Sequence, residues 1–400
     1  MNAGMANNRV AEGFAAAARR FDHGWLYFLC LFILFAAQIT NLVFDNKYQQ
    51  YRFLAESFLA ARLDFVEMPG SSWDDTALFD GAHYWPLGSF PAVLLMPFVF
   101  ISRLLGTTFP QGYLTFALAI WTFYLVFRLA EKFGKLGPER TWMALAFVGS
   151  SSYLAIALVP WSWHLAHIVA AWLLLIAIHE YLGQRRWTFI GLILGLVTAS
   201  RPTAGLSLLF FVAALLFGED PWRRKYKNTI QLLATFLPVI IIVTFYNGVR
   251  FGSAFENGYS YQIGMKPDGP LYGPWNLLPN LRVFLFGMPI AIDRFPFIAA
   301  EPFGMSLLIV SPWLLLARPQ RWYWHDSLLA TNMVAIALVF LSWWSTGSNQ
   351  MGYRFSLDFL PLLLWLLLRT DAVSVNRLFK ITVSVSLLIN FYFLTTVFNG

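Results

Sequence analysis

The stretch TFIGLILGLVTASRPTAGLSLLFFVAALLF, residues 188–217, decides the fold class. It is apolar apart from a few small polar residues and one charge, Arg201, which Pro202 follows directly. The arm before Arg201 would span about 20 Å as an α-helix, whereas the hydrocarbon core of a bilayer is roughly 30 Å thick. Basic loops flank both outer ends of the stretch, at Arg185 and Arg223. Because basic loops stay in the cytoplasm, we predict a hairpin of two short membrane helices whose Arg-Pro tip lies at or below the outer interface.

The composition of the whole chain is typical of a membrane protein. Of 400 residues, 58% are hydrophobic and 12% are charged, whereas a soluble domain carries about 25% charged residues. The formal net charge of +7 fits basic cytoplasmic loops, and no basic run is interleaved with aromatic residues as in a nucleic-acid site. We therefore expect membrane lipids and no nucleic acid as partners. The single cysteine, Cys30, excludes an internal disulfide and a cysteine-based metal site.

Apolar segments predict an all-α polytopic protein with about eleven crossings and one domain over residues 1–400. The crossings are placed near residues 24–44, 113–130, 141–159, 167–182, 188–200, 203–217, 229–246, 303–317, 327–343, 357–368 and 381–398. The first is too long for a signal-peptide core, so we read it as an uncleaved helix that begins in the cytoplasm.

Residues 87–105 are apolar but are excluded from this count. If they crossed, the basic loops 132–140 and 185–186 would face outward, against the charge rule for membrane loops. Their prolines also suit a surface-lying or re-entrant segment. Two large loops then lie outside, at about residues 45–112 and 247–302. The first opens with an apolar face that includes Tyr51 and Leu54, opposite Arg52 and Glu56, which predicts an interfacial helix on the outer leaflet.

Asp45 directly follows the first predicted crossing and precedes the interfacial helix. An acid at this level of the membrane lies where a lipid headgroup would be. Its position alone favours the simpler reading of a helix N-cap, because an aspartate satisfies free backbone N–H groups at a helix start. A functional role and a capping role are compatible.

Arg201 and Arg354 are the candidate phosphate-binding residues. An arginine inside the membrane costs about 2.5–3.5 kcal/mol or more, so it normally faces a cavity or a partner. A phosphate fits the planar, bidentate guanidinium. Arg354 lies at the outer mouth of a predicted crossing, in MGYRFSLDFLP. The alternative for Arg201 is a side chain that extends to the outer headgroups.

His164 and His167 lie on one helix face at the outer start of a crossing, where they could bind a metal or a phosphate. Two histidines alone are a weak metal signal, and a belt of interfacial Trp and His side chains is favoured. No metal ligands are assigned. The further candidates for substrate binding are Asp80, His83, Tyr84, Arg250, Glu256, Tyr259 and Tyr353.

Five segments together resemble the GT-C superfamily of membrane glycosyltransferases, in the branch of the protein O-mannosyltransferases and the lipid A aminoarabinose transferase. They are FDNKYQQYRFLAESFLAARLDF, DGAHYWPLGSFPAVLLMPF, ASRPTAGL, RFGSAFENGY and MGYRFSLDFLP. The resemblance covers nearly the whole chain, as a pattern more than a sharp signature. It implies a GT-C-like fold and a catalytic carboxylate at Asp45. Many members carry a second acid where this chain has Trp161, Trp163, His164 and His167; this departure argues against a divalent metal cofactor.

The resemblance implies a transferase that moves a sugar from a polyprenyl-phosphate donor to an acceptor hydroxyl on the non-cytoplasmic face, with inversion. The acceptor would be a lipid, a glycan or a protein. The location would be the bacterial inner membrane, with the active site facing outward. A transporter or flippase of lipid-linked sugars is the main alternative, because a broken hairpin with a buried arginine fits that class too. A non-catalytic assembly subunit is a second alternative.

Overall fold

The computed structural model describes residues 48–66, 75–264 and 269–398. This part of the chain is mostly α-helical, as predicted, with two small β-hairpins. Five of its helices are long and apolar enough to cross a membrane. The predicted crossing over residues 24–44 and the candidate base Asp45 lie outside the described residues.

The helices are α1 (Gln50–Leu59), α2 (Phe90–Leu104), α3 (Gln111–Lys132), α4 (Pro138–Val148), α5 (Tyr153–Leu158), α6 (Ser162–Tyr181), α7 (Trp187–Ser200), α8 (Pro202–Gly205), α9 (Leu208–Phe217), α10 (Trp222–Phe251), α11 (Leu277–Phe286), α12 (Leu307–Val310), α13 (Trp324–Leu341), α14 (Leu360–Arg369) and α15 (Arg377–Phe398). The strands are β1 (Ala77–Phe79), β2 (Ala82–Tyr84), β3 (Ile290–Ala291) and β4 (Ile298–Ala299). They pair as two antiparallel hairpins, β1 with β2 and β3 with β4. Four 3₁₀ turns cover Tyr259–Tyr261, Pro274–Asn276, Pro312–Leu316 and Arg354–Asp358.

The long apolar helices are α3, α6, α10, α13 and α15, and the shorter ones include α2, α7 and α14. Two predicted crossings are interrupted. Residues 141–159 divide into α4 and α5 at the small residues between them, and residues 303–317 form the single turn α12 followed by a 3₁₀ turn. The fold is therefore a bundle with broken members, and the number of crossings stays a prediction.

The predicted hairpin at Arg201 is present. Helix α7 ends at Ser200, and the short α8 and then α9 continue from Pro202. Arg201 itself is extended, with φ −145° and ψ 100°. A proline disfavours the helical conformation in the residue before it, so Pro202 breaks the helix at Arg201. This break lets the arginine side chain leave the hairpin tip toward the rest of the bundle.

The hairpin is fixed to α10 by two glycines of α7, Gly191 and Gly195. A Cβ atom on Gly191 would overlap the carbonyl oxygen of Leu232, and one on Gly195 would lie 2.9 Å from the Val239 Cβ. Small residues four apart allow two membrane helices to approach closely, and their packing replaces the hydrophobic effect that lipid does not supply. The hydroxyl of Thr235 adds a hydrogen bond to a carbonyl of α7, at 2.6 Å.

The predicted basic loops meet at one end of the bundle, which we call the basic end. Lys132 donates to a carbonyl in the last turn of α6, and Lys135 pairs with Asp371 at 3.1 Å. The backbone N–H of Arg318 donates to the carbonyl of Ala372 at 2.8 Å. The two remaining basic loops, at residues 185–186 and 223–227, lie next to each other, because residues of both line one cavity. The arrangement matches the charge rule used to orient the chain.

Helix α2, which covers most of residues 87–105, has both of its flanks at the opposite end, which we call the Arg201 end. Gly88, just before α2, abuts the last carbonyl groups of α7 so closely that a Cβ atom would overlap the Ala199 oxygen. After α2, the side chain of Gln111 donates to the carbonyl of Pro160, just before α6, at 2.6 Å. This geometry supports the prediction that the segment does not cross.

Helix α1 forms where the interfacial helix was predicted, but its apolar face packs against protein. Tyr51 and Leu54 are fully buried. The Tyr51 ring contacts Trp85 at 5.7 Å, and its hydroxyl donates to the carbonyl of Gly88 at 3.0 Å. The apolar stripe therefore joins the first outer loop to the bundle. The placement of α1 on a leaflet stays a prediction.

Candidate functional site

Arg201 forms a buried, two-pronged ion pair with Asp358. Its Nε donates to Oδ1 at 3.1 Å and its Nη2 donates to Oδ2 at 2.9 Å. Thr203, the second residue of α8, donates its hydroxyl to the same carboxylate. Arg201 is 8% exposed and Asp358 is 1% exposed. A parallel pair of charge-assisted hydrogen bonds is the strongest arrangement that an arginine and a carboxylate can form.

His167 contacts the same carboxylate from α6. Its Nδ1 lies 3.2 Å from the Asp358 Oδ1. Its Nε2 is buried and has no hydrogen-bond partner among the described residues. The other histidine of the pair, His164, has its Nδ1 2.9 Å from the carbonyl oxygen of Val159. The two rings therefore have different partners. Within residues 48–66, 75–264 and 269–398, no three His, Cys, Asp or Glu residues are grouped as metal ligands would be.

Arg354 is the second guanidinium of the site and has no carboxylate partner among the described residues. Its Nη1 donates to the carbonyl of Ser348 at 2.8 Å, and its buried Nε has no hydrogen-bond partner there. Burial and the nearby Arg201 charge lower the pKa of Arg354 to about 10. That value lies well above neutral pH, so the side chain remains a cation.

The two guanidiniums lie beside one aromatic ring. The central carbon of Arg201 is 5.6 Å from the centroid of the Phe355 ring, and that of Arg354 is 5.4 Å from it. Arg201 is paired with Asp358, whereas Arg354, among the described residues, interacts with a carboxylate, Asp75, only through space. A buried charge without a partner is costly, so the geometry favours an anionic ligand next to Arg354.

An aromatic cluster of the second outer loop borders this site. The rings of Tyr259 and Tyr272 pack on Trp343 at 5.0 and 4.8 Å. The backbone N–H of Trp344 donates to the carbonyl of Leu271 in the same loop at 2.8 Å. This bond fixes the loop to the outer end of α13. Burial raises the pKa of both tyrosine hydroxyls, and the Arg201 charge opposes that rise. Tyr259 was a candidate from the sequence, whereas Tyr272 was not.

Three other candidates have structural partners instead. Arg250 donates to the carbonyl of Trp85 at 2.7 Å, and its guanidinium carbon lies 3.8 Å from the centroid of the Tyr246 ring. It therefore joins the two outer loops. Glu256 accepts the backbone N–H of Gly258 at 2.7 Å within a turn. Tyr353 is fully buried among aromatic rings of the core. Their roles in substrate binding stay predictions.

The candidates of the first outer loop lie on the β1–β2 hairpin. Asp80 and Gly81 form its two-residue turn with φ values of +50° and +76°, the left-handed conformation that an Asp-Gly pair favours. His83 lies 2.9 Å from the Thr76 hydroxyl through Nδ1, and burial lowers its pKa. The Tyr84 ring packs on Phe251 at 5.3 Å. The turn conformation accounts for an aspartate at position 80 without any role in ligand binding.

Sequence reasoning missed Asp358 and Thr203 as site residues. One signal was available: Asp358 is an acid within the apolar run FSLDFLPLLLWLLL. A carboxylate in such a run needs a cation or several donors, because an isolated charge is not stable away from water. Asp358 meets this condition as much as Arg201 does.

Two solved structures match this fold. They are ArnT from Cupriavidus metallidurans in the apo state, with a TM-score of 0.52 and 14% sequence identity, and the same protein bound to undecaprenyl phosphate, with 0.50 and 12%. Both matches cover 88% of this chain, and they cover 60% and 61% of the ArnT chains. ArnT is a glycosyltransferase of the GT-C type. The chain therefore has a GT-C fold.

At these identities the likeness concerns the GT-C fold alone, and the chain spans about 60% of the length of the ArnT structures that it matches. No family model and no curated protein sequence matches the chain. The GT-C resemblance that the sequence motifs suggested is confirmed at the level of the fold.

Proposed function

We propose that the protein is a GT-C glycosyltransferase that moves a sugar from a polyprenyl-phosphate donor to an acceptor hydroxyl on the non-cytoplasmic face. The observation that carries this proposal is the charge arrangement around Arg354. The Arg201 fork is already occupied by Asp358, whereas Arg354 is a largely buried cation without a carboxylate partner among the described residues. A donor phosphodiester carries one negative charge and would compensate it.

The phosphate would lie between the two guanidiniums and would contact Arg354 most directly. Arg354 has a buried Nε without a partner in the described chain, and Arg201 uses only Nε and Nη2 for Asp358. Cationic donors aimed at the departing phosphate stabilise the charge that develops as the glycosidic bond breaks. Asp358 and Thr203 would hold Arg201 in place without touching the substrate. The known complex of ArnT with undecaprenyl phosphate supports a lipid phosphate as ligand of this fold.

Asp45 is our proposed base, on the sequence resemblance. An acceptor hydroxyl has a pKa far above neutral, so it needs a base as it attacks the sugar. Attack from the face opposite the departing phosphate inverts the anomeric centre. The acceptor itself, whether a lipid, a glycan or a protein, would enter from the outer loops, where the tyrosine and tryptophan rings of residues 259–272 and 343–344 offer a surface for a sugar.

The orientation of the protein in the membrane is inferred from the positions of its basic loops. The five basic loops meet at one end of the bundle, and Arg201, Arg354 and the outer loops lie at the other. Because basic loops remain in the cytoplasm, the site would face outward from the bacterial inner membrane.

The first experiment measures binding of undecaprenyl phosphate to the purified protein and to Arg354→Gln. Loss of a charge-assisted hydrogen-bonding partner costs about 1.5–3 kcal/mol, so binding should weaken by about 10- to 100-fold. Arg294→Gln is the matched control, because Arg294 is an exposed arginine of the same outer region. Equal affinities of the parent and Arg354→Gln would contradict the phosphate assignment.

The second experiment separates an enzyme from a transporter. Purified protein is incubated with a panel of polyprenyl-phosphate sugars and acceptors, and free polyprenyl phosphate is measured. A transferase releases it, whereas a flippase only relocates the intact donor. Relocation without release in reconstituted vesicles would favour the flippase.

A further inference from the structure

A second polar site lies at the basic end, far along the bundle from Arg201. A cavity of about 520 Å³ opens between the α6–α7 loop and the first turns of α10. Its lining is rich in arginine and amide side chains and includes one carboxylate. The lining residues are Gln184, Arg185, Arg186, Trp187, Thr188, Asp220, Arg224, Asn228 and Gln231. Gly191, where α7 touches α10 most closely, is one helical turn beyond Trp187 of the lining.

Within the described residues, the hydrogen bonds of the three arginines of this cavity use only part of each guanidinium. Arg186 uses Nε and Nη2 for Glu180, at 3.0 and 2.8 Å. Arg224 uses Nη1 for Asp220 at 3.1 Å, and Arg185 uses only Nε, for a carbonyl oxygen. Three guanidiniums and these two carboxylates leave a net charge of +1. A single anionic group in the cavity would balance this charge. The amide side chains of the lining could donate hydrogen bonds to its remaining oxygens.

The cavity continues outward as an apolar track on α10. Arg224, Asn228 and Gln231 belong to a stripe with alternating spacings of four and three residues, which defines one helix face. The same stripe passes Thr235, which bonds the Thr188 carbonyl of α7, and the exposed Pro238. It then continues through Ile242, Phe245 and Val249, which are 66%, 72% and 56% exposed. Gln231 and Ile242 are about 17 Å apart along the axis. In the most apolar 18-residue segment of α10, 6% of the residues are buried.

We propose that this cavity and track bind an anionic phospholipid, with the phosphodiester among Arg185, Arg186 and Arg224 and an acyl chain along Ile242 and Phe245. A polar cavity that is continuous with an exposed apolar track matches the two parts of a lipid. A soluble anion would use the cavity and leave the track uncovered. Basic pockets between helices at the cytoplasmic side are the places where anionic headgroups bind. The site does not depend on the proposed transferase activity.

The test uses native mass spectrometry of the purified protein with phosphatidylglycerol and with phosphatidylcholine of the same acyl chains. Phosphatidylglycerol should bind the parent more tightly, and Arg185→Gln/Arg224→Gln should weaken its binding by about tenfold or more. Arg318→Gln/Arg321→Gln is the matched control, because these exposed arginines lie at the same end outside the cavity. The control should bind like the parent.

Three outcomes would overturn the proposal. Equal binding of the two lipids would show that charge is not recognised. An equal loss in the control pair would show a diffuse surface effect. Competition by glycerol phosphate at the lipid's own concentration would show a soluble-anion site. Arg185→Lys/Arg224→Lys keeps both charges, so retained phosphatidylglycerol binding in that variant, with lost binding in the Gln pair of equal thermal stability, separates recognition from misfolding.

Discussion

The ion pair between Arg201 and Asp358 permits the sharpest test of the site, through Arg201→Gln, Asp358→Asn and the double variant. The pair makes two hydrogen bonds of 3.1 and 2.9 Å, and its residues are 8% and 1% exposed. Solvent and salt therefore screen it little. Removal of one partner leaves the other charge buried without its ion-pair partner, which costs about 3–5 kcal/mol. The double variant should lose less than the sum of the two, by about 0.5–3 kcal/mol.

The assay is equilibrium unfolding in mixed micelles, with the free energy of unfolding as the readout. The matched control is Arg186→Gln with Glu180→Gln, because that pair is also two-pronged. Its arginine side chain is 59% exposed, so it should contribute at most about 1 kcal/mol. If the Arg201 and Asp358 losses simply add, or if they equal those of the control pair, the buried ion pair does not exist as described.

Arg201→Lys refines this test. A lysine keeps the charge but offers one compact ammonium group in place of a planar fork, so the parallel pair of hydrogen bonds to the two carboxylate oxygens is lost. We expect it to be nearly as unstable as Arg201→Gln. A stable Arg201→Lys variant with undiminished donor binding would mean that only the charge of Arg201 matters.

Three further outcomes are expected. Asp45→Asn should keep the stability of the parent, because the two side chains are nearly isosteric and the N-cap of α1 is Gln49 rather than Asp45, contrary to the sequence prediction. It should reduce turnover by about 10²–10⁴-fold if Asp45 is the base; turnover within a few-fold of the parent would reject that role. Gly191→Ala should destabilise the protein, because its Cβ would overlap the α10 backbone, whereas Gly248→Ala on α10 meets nothing within 4 Å and should be neutral; the free energy of unfolding of both variants checks this. Cysteines placed at Lys135 and Arg186 should resist an impermeant label in intact cells, and labelling of either would reverse the orientation and move the proposed site to the cytoplasmic face.

Local chemistry made part of this structure predictable. The break at Arg201 depends on the residue next to it, because proline excludes the helical conformation of its neighbour. The basic loops were grouped correctly from their charges alone. The β1–β2 hairpin was not assigned, although Asp80-Gly81 is a turn signal, because the flanking strands of three residues are too short for a clear alternating pattern.

The sequence by itself determined that this chain is a helical membrane protein with a broken hairpin and an arginine at its tip, since apolar length, charge and proline act within a few residues. Only the tertiary structure decided which residue that arginine meets. Asp358 is 157 positions away in the chain, and its place in an apolar run indicates that it needs a partner but not which cation supplies one. The same is true of the contact between the apolar face of α1 and Trp85, and of the hydrogen bond from Arg250 to the Trp85 carbonyl. A residue type fixes which interactions a side chain requires, whereas packing of distant segments fixes which group supplies them.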